Sequence, residues 1–299
     1  MISGWNFLMK DEDFAMQIPN RIATPEEIKN MISVTEVEKM ASGMQSKVFD
    51  QTENVWYKQD YLGTEGLSEY VASKLLEGSW MEYTSYMPCQ FMMGNREVTG
   101  CKSENFLKPG ERLVSTYELL ENEYHIDIAK ETAHIEDIGN RIKFFVDKVV
   151  EASGYEEFGS YLSGLLRLDA VTKNDDRHFN NISLIRNEKG EYRPAPIYDN
   201  GGAFLSDKYT YGEHLTEDQV LYEMDHVMAK PFSMDFDEQL DACEALYPCK
   251  LTFNKNAEID EDMLSHYYDK DDIDTVKTMV AQAQRKYSYM FENHYEKER

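Results

Sequence analysis

Two short runs carry the residues best suited to do chemistry. Asp176-Arg177-His178-Phe179-Asn180-Asn181 sets a carboxylate before an amide, and Ile197-Tyr198-Asp199-Asn200-Gly201 brings a second carboxylate soon after. Phosphoryl transfer from ATP asks little covalent chemistry of a protein. It needs a carboxylate near the acceptor hydroxyl and oxygen ligands that hold Mg²⁺ on the phosphates. Asp176 reads as the base, with Asn181 and Asp199 as metal ligands. Asp175 and Asn180 share the same interval, but only Asp176 is followed by Arg-His, so Asp176 is favoured and Asp175 is the fallback. Between the runs, Asn187-Glu188-Lys189-Gly190 predicts a turn joining strands Ile182–Ile185 and Tyr192–Ile197, which returns Asp199 towards Asn181.

Upstream lie elements able to hold a nucleotide. Ala41-Ser42-Gly43-Met44-Gln45-Ser46-Lys47 reads as a loop over phosphates, although with a single glycine. Val48-Phe49 and Val55-Trp56-Tyr57 read as a hairpin closed by the polar turn Asp50–Asn54, with Lys58 at the end of its second strand. Leu67, Tyr70, Val71 and Leu75 recur at helical spacing and carry Glu69, which could pair with Lys58. Strands Phe91–Met93 and Val98–Cys101 complete a small sheet. Cys101-Lys102-Ser103-Glu104-Asn105-Phe106 then reads either as a hinge, whose backbone at Cys101 and Ser103 could meet an adenine edge, or as an ordinary strand exit.

Beyond Phe106 helical stripes dominate: Ile138, Ile142, Phe145, Val146, Val149, Val150, and then Phe158, Tyr161, Leu162, Leu165, Leu166. The second stripe runs into Leu168-Asp169-Ala170-Val171, so a buried helix delivers the catalytic run. Thr216-x-x-Gln219 and Asp235-x-x-Glu238 are helix starts, and a long final helix is expected from about Asp271 to Glu296. His178 reads more readily as a hydrogen-bonded structural support than as an orienter of the catalytic loop or of Asp199. Arg177 could pair with a neighbouring carboxylate or with a modified loop.

At these residues the chain resembles the HipA-like kinases, whose catalytic loops read Asp-x-His-x-x-Asn and whose metal aspartate follows Tyr or Phe. The Asp-Arg-His form is similar to the short HipA-like members, and phosphatidylinositol 3- and 4-kinases also use it. Gly43-x-Gln45-x-Lys47 and Leu67-Ser68-Glu69-Tyr70-Val71-Ala72 extend the resemblance over roughly residues 40–205. It implies an α+β, two-lobed protein-kinase-like fold: a β-rich lobe over 1–106 and a helical lobe over 107–299. It implies Mg-ATP-dependent phosphorylation of a protein serine or threonine, with Asp176 as base and Asn181 and Asp199 on Mg²⁺. Lys58 would position the ATP phosphates, Glu69 would fix Lys58, and Gly43 and Gln45 would cover the phosphates. A lipid or small-molecule kinase, a pseudokinase and an AMP-transferring relative share the fold. Relatives are often toxins held by a small antitoxin, and several carry a regulatory, autophosphorylated serine three positions before the loop glycine. Met40 stands there in this chain, with Ser42 and Ser46 nearby.

The composition bounds the partners. The 299 residues include 56 acidic against 31 basic side chains, a net charge of −25 that disfavours nucleic-acid backbones and anionic membranes. Cys89, Cys101, Cys243 and Cys249 form no Cys-x-x-Cys pair and read as reduced thiols. No basic leader or long apolar span is evident, and a cytoplasmic location is expected.

Overall fold

The computed structural model describes residues 47–93 and 95–293. The proposed phosphate loop, with Gly43, Gln45 and the neighbouring Met40, Ser42 and Ser46, lies outside them. β1 (Lys47–Asp50) and β2 (Val55–Gln59) pair antiparallel. The Asp50 carboxylate closes their turn by accepting from the N–H groups of Thr52 (2.8 Å) and Glu53 (3.2 Å). After α1 (Glu65–Leu75), β3 (Met87–Met93) and β4 (Arg96–Glu104) form a second hairpin, and the four strands order as β1-β2-β4-β3.

The register sets Lys58 opposite Cys101 and Trp56 opposite Ser103. Cys101 also faces Pro88 of β3, so it sits inside the sheet rather than in the strand exit. The chain leaves the sheet only after Glu104. This corrects the reading of Cys101 and Ser103 as hinge positions: both are ladder residues, and Cys101 is fully buried.

α1 is buried along nearly its whole length, between the sheet and the rest of the molecule. Its polar groups are accordingly partnered. Glu65 accepts from the backbone N–H groups of Tyr61, Leu62 and Gly63 at 2.7–3.2 Å. Ser68 donates to the Ala203 carbonyl at 2.8 Å, and Thr64 N–H donates to Ser206 at 3.1 Å. The helix is thereby tied to the segment that follows Asp199.

Asp60, at the foot of α1, is the exception. Its Oδ1 accepts from Gly66 N–H at 2.5 Å, while its Oδ2 and the Tyr268 hydroxyl are buried without a hydrogen-bond partner. Burial pushes the Asp60 carboxyl up to about 7 from 3.8; the Gly66 N–H opposes this and the Glu65 charge adds to it. A raised folded-state pKa means the folded protein binds the proton more tightly. The stability Asp60 contributes is therefore complete below about pH 4 and is lost as pH rises through about 7. Asp60→Asn should be more stable than wild type at pH 8, by a few kcal/mol. The gap should close as pH falls from 7 to 4, and parallel melting curves at both ends would contradict it.

Beyond the four-stranded sheet, β5 (Arg112–Ser115) pairs with β6 (Ser183–Arg186), itself paired with β7 (Tyr192–Pro194). The β6–β7 hairpin is the one expected around Asn187–Gly190; β5 adds an unforeseen third strand. α2 (Thr116–Tyr124) and α3 (Ile128–Ala133) lead into α4 (Ile138–Ser153) and α5 (Phe158–Thr172). α5 is buried at almost every position and packs against α4 and later helices. A short α6 (Lys208–Tyr211) precedes α7 (Glu217–His226) and α8 (Phe236–Leu246), whose caps are those expected at Thr216 and Asp235.

β8 (Phe253–Asn254), α9 (Glu261–Leu264) and α10 (Lys270–Lys286) follow. The final helix ends earlier than expected. After Lys286 come a 3₁₀ turn at Ser288–Met290 and β9 (Phe291–Glu292), which pairs parallel with β8. Met290 is fully buried and the Phe291 ring lies 5.6 Å from that of Phe253, burial that a continued exposed helix would forgo. Among the described residues no helix is long and apolar enough to cross a membrane.

Candidate active site

α5 leads towards the Asp176–Asn181 run and then stops. Lys173 adopts a left-handed conformation (φ 56°) and caps the helix, so the chain turns out at Asn174. Asn174 is buried: its amide nitrogen donates to Asp169 at 3.1 Å and its Oδ1 accepts from Asp176 N–H at 3.1 Å. A Cβ on Gly202 would lie 2.7 Å from that of Asp176, so this close approach of two segments requires glycine.

Asp175 and Asp176 differ in their surroundings. Asp175 accepts a hydrogen bond from the Tyr211 hydroxyl and is partly buried, whereas the Asp176 side chain is 55% exposed. Asp176 is the more accessible carboxylate of the two. Asn181 Nδ2 donates to the Asp176 carbonyl at 2.9 Å, which fixes the amide group. His178 Nε2 lies 3.9 Å from Asp176 Oδ1, and its Nδ1 is buried without a partner.

Arg177 holds the site together. It is fully buried, as is Asp169, and the guanidinium meets that carboxylate with Nε (2.9 Å) and Nη2 (2.9 Å). Its remaining donors reach the Asn181 carbonyl (3.1 Å), the Tyr198 carbonyl (3.4 Å) and Asn200 Oδ1 (2.8 Å). One side chain thus binds the helix, the Asp176–Asn181 loop and the segment bearing Asp199. Burial opposes the guanidinium charge, and the Asp169 carboxylate more than compensates, raising the Arg177 pKa. Burial also lifts the Asp169 carboxyl above its ordinary value even beside Arg177.

Asp199 sits at φ 60°, a left-handed conformation that aspartate tolerates better than most residues. Lys58 Nζ is 2.9 Å from its Oδ1 and also pairs with Glu69 Oε1. Glu69 Oε2 accepts from Asn200 N–H at 2.9 Å. Lys47 Nζ, 3.4 Å from Asp199 Oδ1, is a second cation at the same oxygen. Burial alone would raise the Asp199 pKa, but Lys47, Lys58 and then Arg177 hold it well below the carboxylate range. For Lys58 burial opposes the charge, while Asp199 and Glu69 raise its pKa well above the ordinary value.

Lys58, Glu69 and Asp199 are therefore in contact, and Arg177 links them to Asn181 and so to Asp176. Sequence reasoning missed Lys47 on Asp199; it allowed Arg177 a neighbouring carboxylate without naming Asp169. Asp169 was signalled as a lone carboxylate inside the apolar stretch Leu168–Val171. Among the described residues no three His, Cys, Asp or Glu side chains cluster to hold a metal unaided. Mg²⁺ commonly takes one or two carboxylates and completes its shell with water and substrate phosphates. Asn181 and Asp199 could hold it on those terms.

No protein-family model matches the chain, and no curated protein matches it in sequence. Among solved structures it is similar to the Helicobacter pylori proinflammatory kinase CtkA, with a TM-score of 0.57 and 16% identity, over 82% of this chain and 89% of that one. It is also similar to HipA of Shewanella oneidensis MR-1, solved with HipB and operator DNA. There the TM-score is 0.39 and the identity 14%, over 93% of this chain and 73% of that one, a likeness from which no partner is drawn. With its small antiparallel sheet, its buried α1 and its helical second lobe, the chain has the two-lobed α+β fold of a kinase.

Proposed function

We propose that the chain transfers the γ-phosphoryl group of Mg-ATP to serine or threonine hydroxyls of a protein acceptor. The observation that carries this reading is Arg177, which ties the loop of an exposed Asp176 and buried Asn181 to the segment where Asp199 meets Lys58. When bound, Mg²⁺ would supply positive charge to offset the charge that develops on the phosphates. Asn181 Oδ1 and the Asp199 carboxylate are the atoms that would hold it.

Lys58, fixed by Glu69, presents its ammonium to the inner phosphates, and Lys47 adds a second positive charge beside it. Asp176 orients the acceptor hydroxyl and takes its proton as transfer proceeds. Gly43 and Gln45 are proposed to contribute to phosphate binding.

Incubation with Mg²⁺, ATP and generic protein acceptors, read by intact mass and fragment mapping, tests the reading. Phosphate-sized increments on serine or threonine are expected with wild type and are absent with Asp176→Ala. AMP-sized increments would instead make the chain a nucleotidyl transferase.

A further inference from the structure

The loop between α7 and α8 brings Lys230 to the mouth of the site. Its Nζ lies 3.9 Å from Asp176 Oδ1, and its side chain is 53% exposed. An exposed pair at that distance contributes little to stability. The backbone on either side of Lys230 is nonetheless firmly held. Fully buried Gln239 donates through Nε2 to the Lys230 carbonyl (3.0 Å) and accepts through Oε1 from Phe232 N–H (3.2 Å) and Ser233 N–H (3.4 Å). Ala229 N–H donates to the Met234 carbonyl at 2.9 Å, and Arg141 donates to the Phe232 carbonyl. The fully buried Phe232 ring lies 5.7 Å from that of Phe179 in the catalytic loop. Lys230 is therefore built into register with Asp176.

Resting on the proposed function, we infer that Lys230 is a catalytic residue: the ammonium that stabilises the phosphoryl group in flight. An acceptor hydroxyl bonded to Asp176 sits about 3 Å from the carboxylate, with the transferring phosphorus next in line. An ammonium 3.9 Å from the same carboxylate lies close to where the equatorial phosphoryl oxygens would sit. Lys58 is already engaged by Glu69 and Asp199. His178, equally near Asp176, is cationic only when protonated. In the step, the acceptor oxygen–phosphorus bond forms and the bond from phosphorus to the β-phosphate oxygen breaks. Asp176 takes the hydroxyl proton, and ADP leaves with the bonding pair. Lys230 adds N–H donors where the phosphoryl charge is spread.

The test uses the full chain as wild type, Lys230→Met and Lys230→Arg. It measures transfer from Mg-ATP to casein and myelin basic protein, binding of Mg-ADP with and without aluminium fluoride, and melting temperature. Lys230→Met should lower kcat about 100-fold with KM for ATP changed less than about threefold, and Lys230→Arg should recover about tenfold. Lys230→Met should also lose the extra affinity that aluminium fluoride confers, while Mg-ADP affinity and melting temperature stay at wild-type values. If kcat or the fluoride-dependent affinity is unaffected, or if Mg-ADP binding or the melting temperature falls with them, the inference is overturned. A wild type that binds Mg-ADP but shows neither transfer nor fluoride-dependent affinity also overturns it. A wild type that binds no nucleotide overturns the proposed function itself, and this inference with it.

Discussion

Arg177→Met is expected to destabilise the protein by about 3–5 kcal/mol, because it strands the Asp169 carboxylate at a position with no access to water. The loss exceeds that of an ordinary salt bridge for two reasons. Asp169 keeps only the Asn174 amide as a partner, and the Asn181 and Tyr198 carbonyls and the Asn200 amide oxygen lose a donor together. Chemical denaturation of the single variant against Asp169→Leu/Arg177→Met separates the causes. The double variant removes the buried charge with its partner and should recover much of the lost stability. A single variant within about 1 kcal/mol of wild type would mean that the pair is not what holds these segments.

Asp199→Asn should reduce phosphoryl transfer by about a thousandfold or more, since a metal held on the phosphates supplies several kcal/mol of charge stabilisation. Lys58→Met should cost about 100- to 1,000-fold, as loss of one preorganised donor does elsewhere. Both variants disturb one cluster, so their effects in combination should fall well short of the product of the two. The Asp199 substitution also has a stability signature. A carboxylate whose folded-state pKa is depressed contributes stability above its ordinary value of 3.8 and loses it as pH falls towards the folded pKa. Asp199→Asn should therefore be less stable than wild type at neutral pH, with the gap narrowing only below about pH 4. Steady-state transfer assays and melting curves at several pH values check the two halves separately.

The elements legible in the sequence were those whose pattern reports a local cause. The β1–β2 hairpin follows from apolar pairs around the polar turn Asp50–Asn54, and α1 from apolar spacing at Leu67, Tyr70, Val71 and Leu75. The pairing of Lys58 with Glu69 could be expected from a lysine near a strand end followed by a carboxylate on the next helix. What escaped depends on tertiary distance. Lys47 reaches Asp199 through the sheet, and Lys230 reaches Asp176 from a loop that no local pattern links to it. Cys101 and Ser103 were misplaced because β4 stays paired with β2 up to Glu104, a register that the alternation of side chains does not reveal. The last helix was extended too far because Tyr287, Met290 and Phe291 fit a helical stripe as well as they fit the turn and strand they form. The lobe boundary near Phe106 is proposed on the same footing, two residues after the last residue of β4.

The most direct measurement is a crystal structure of the chain with Mn²⁺ and a non-hydrolysable ATP analogue, the metal located by anomalous scattering. The account predicts Mn²⁺ bound by Asn181 Oδ1 and the Asp199 carboxylate, with Lys58 at the inner phosphates and the γ-phosphate facing Asp176. A nucleotide bound elsewhere, or a metal held without Asp199, would contradict it.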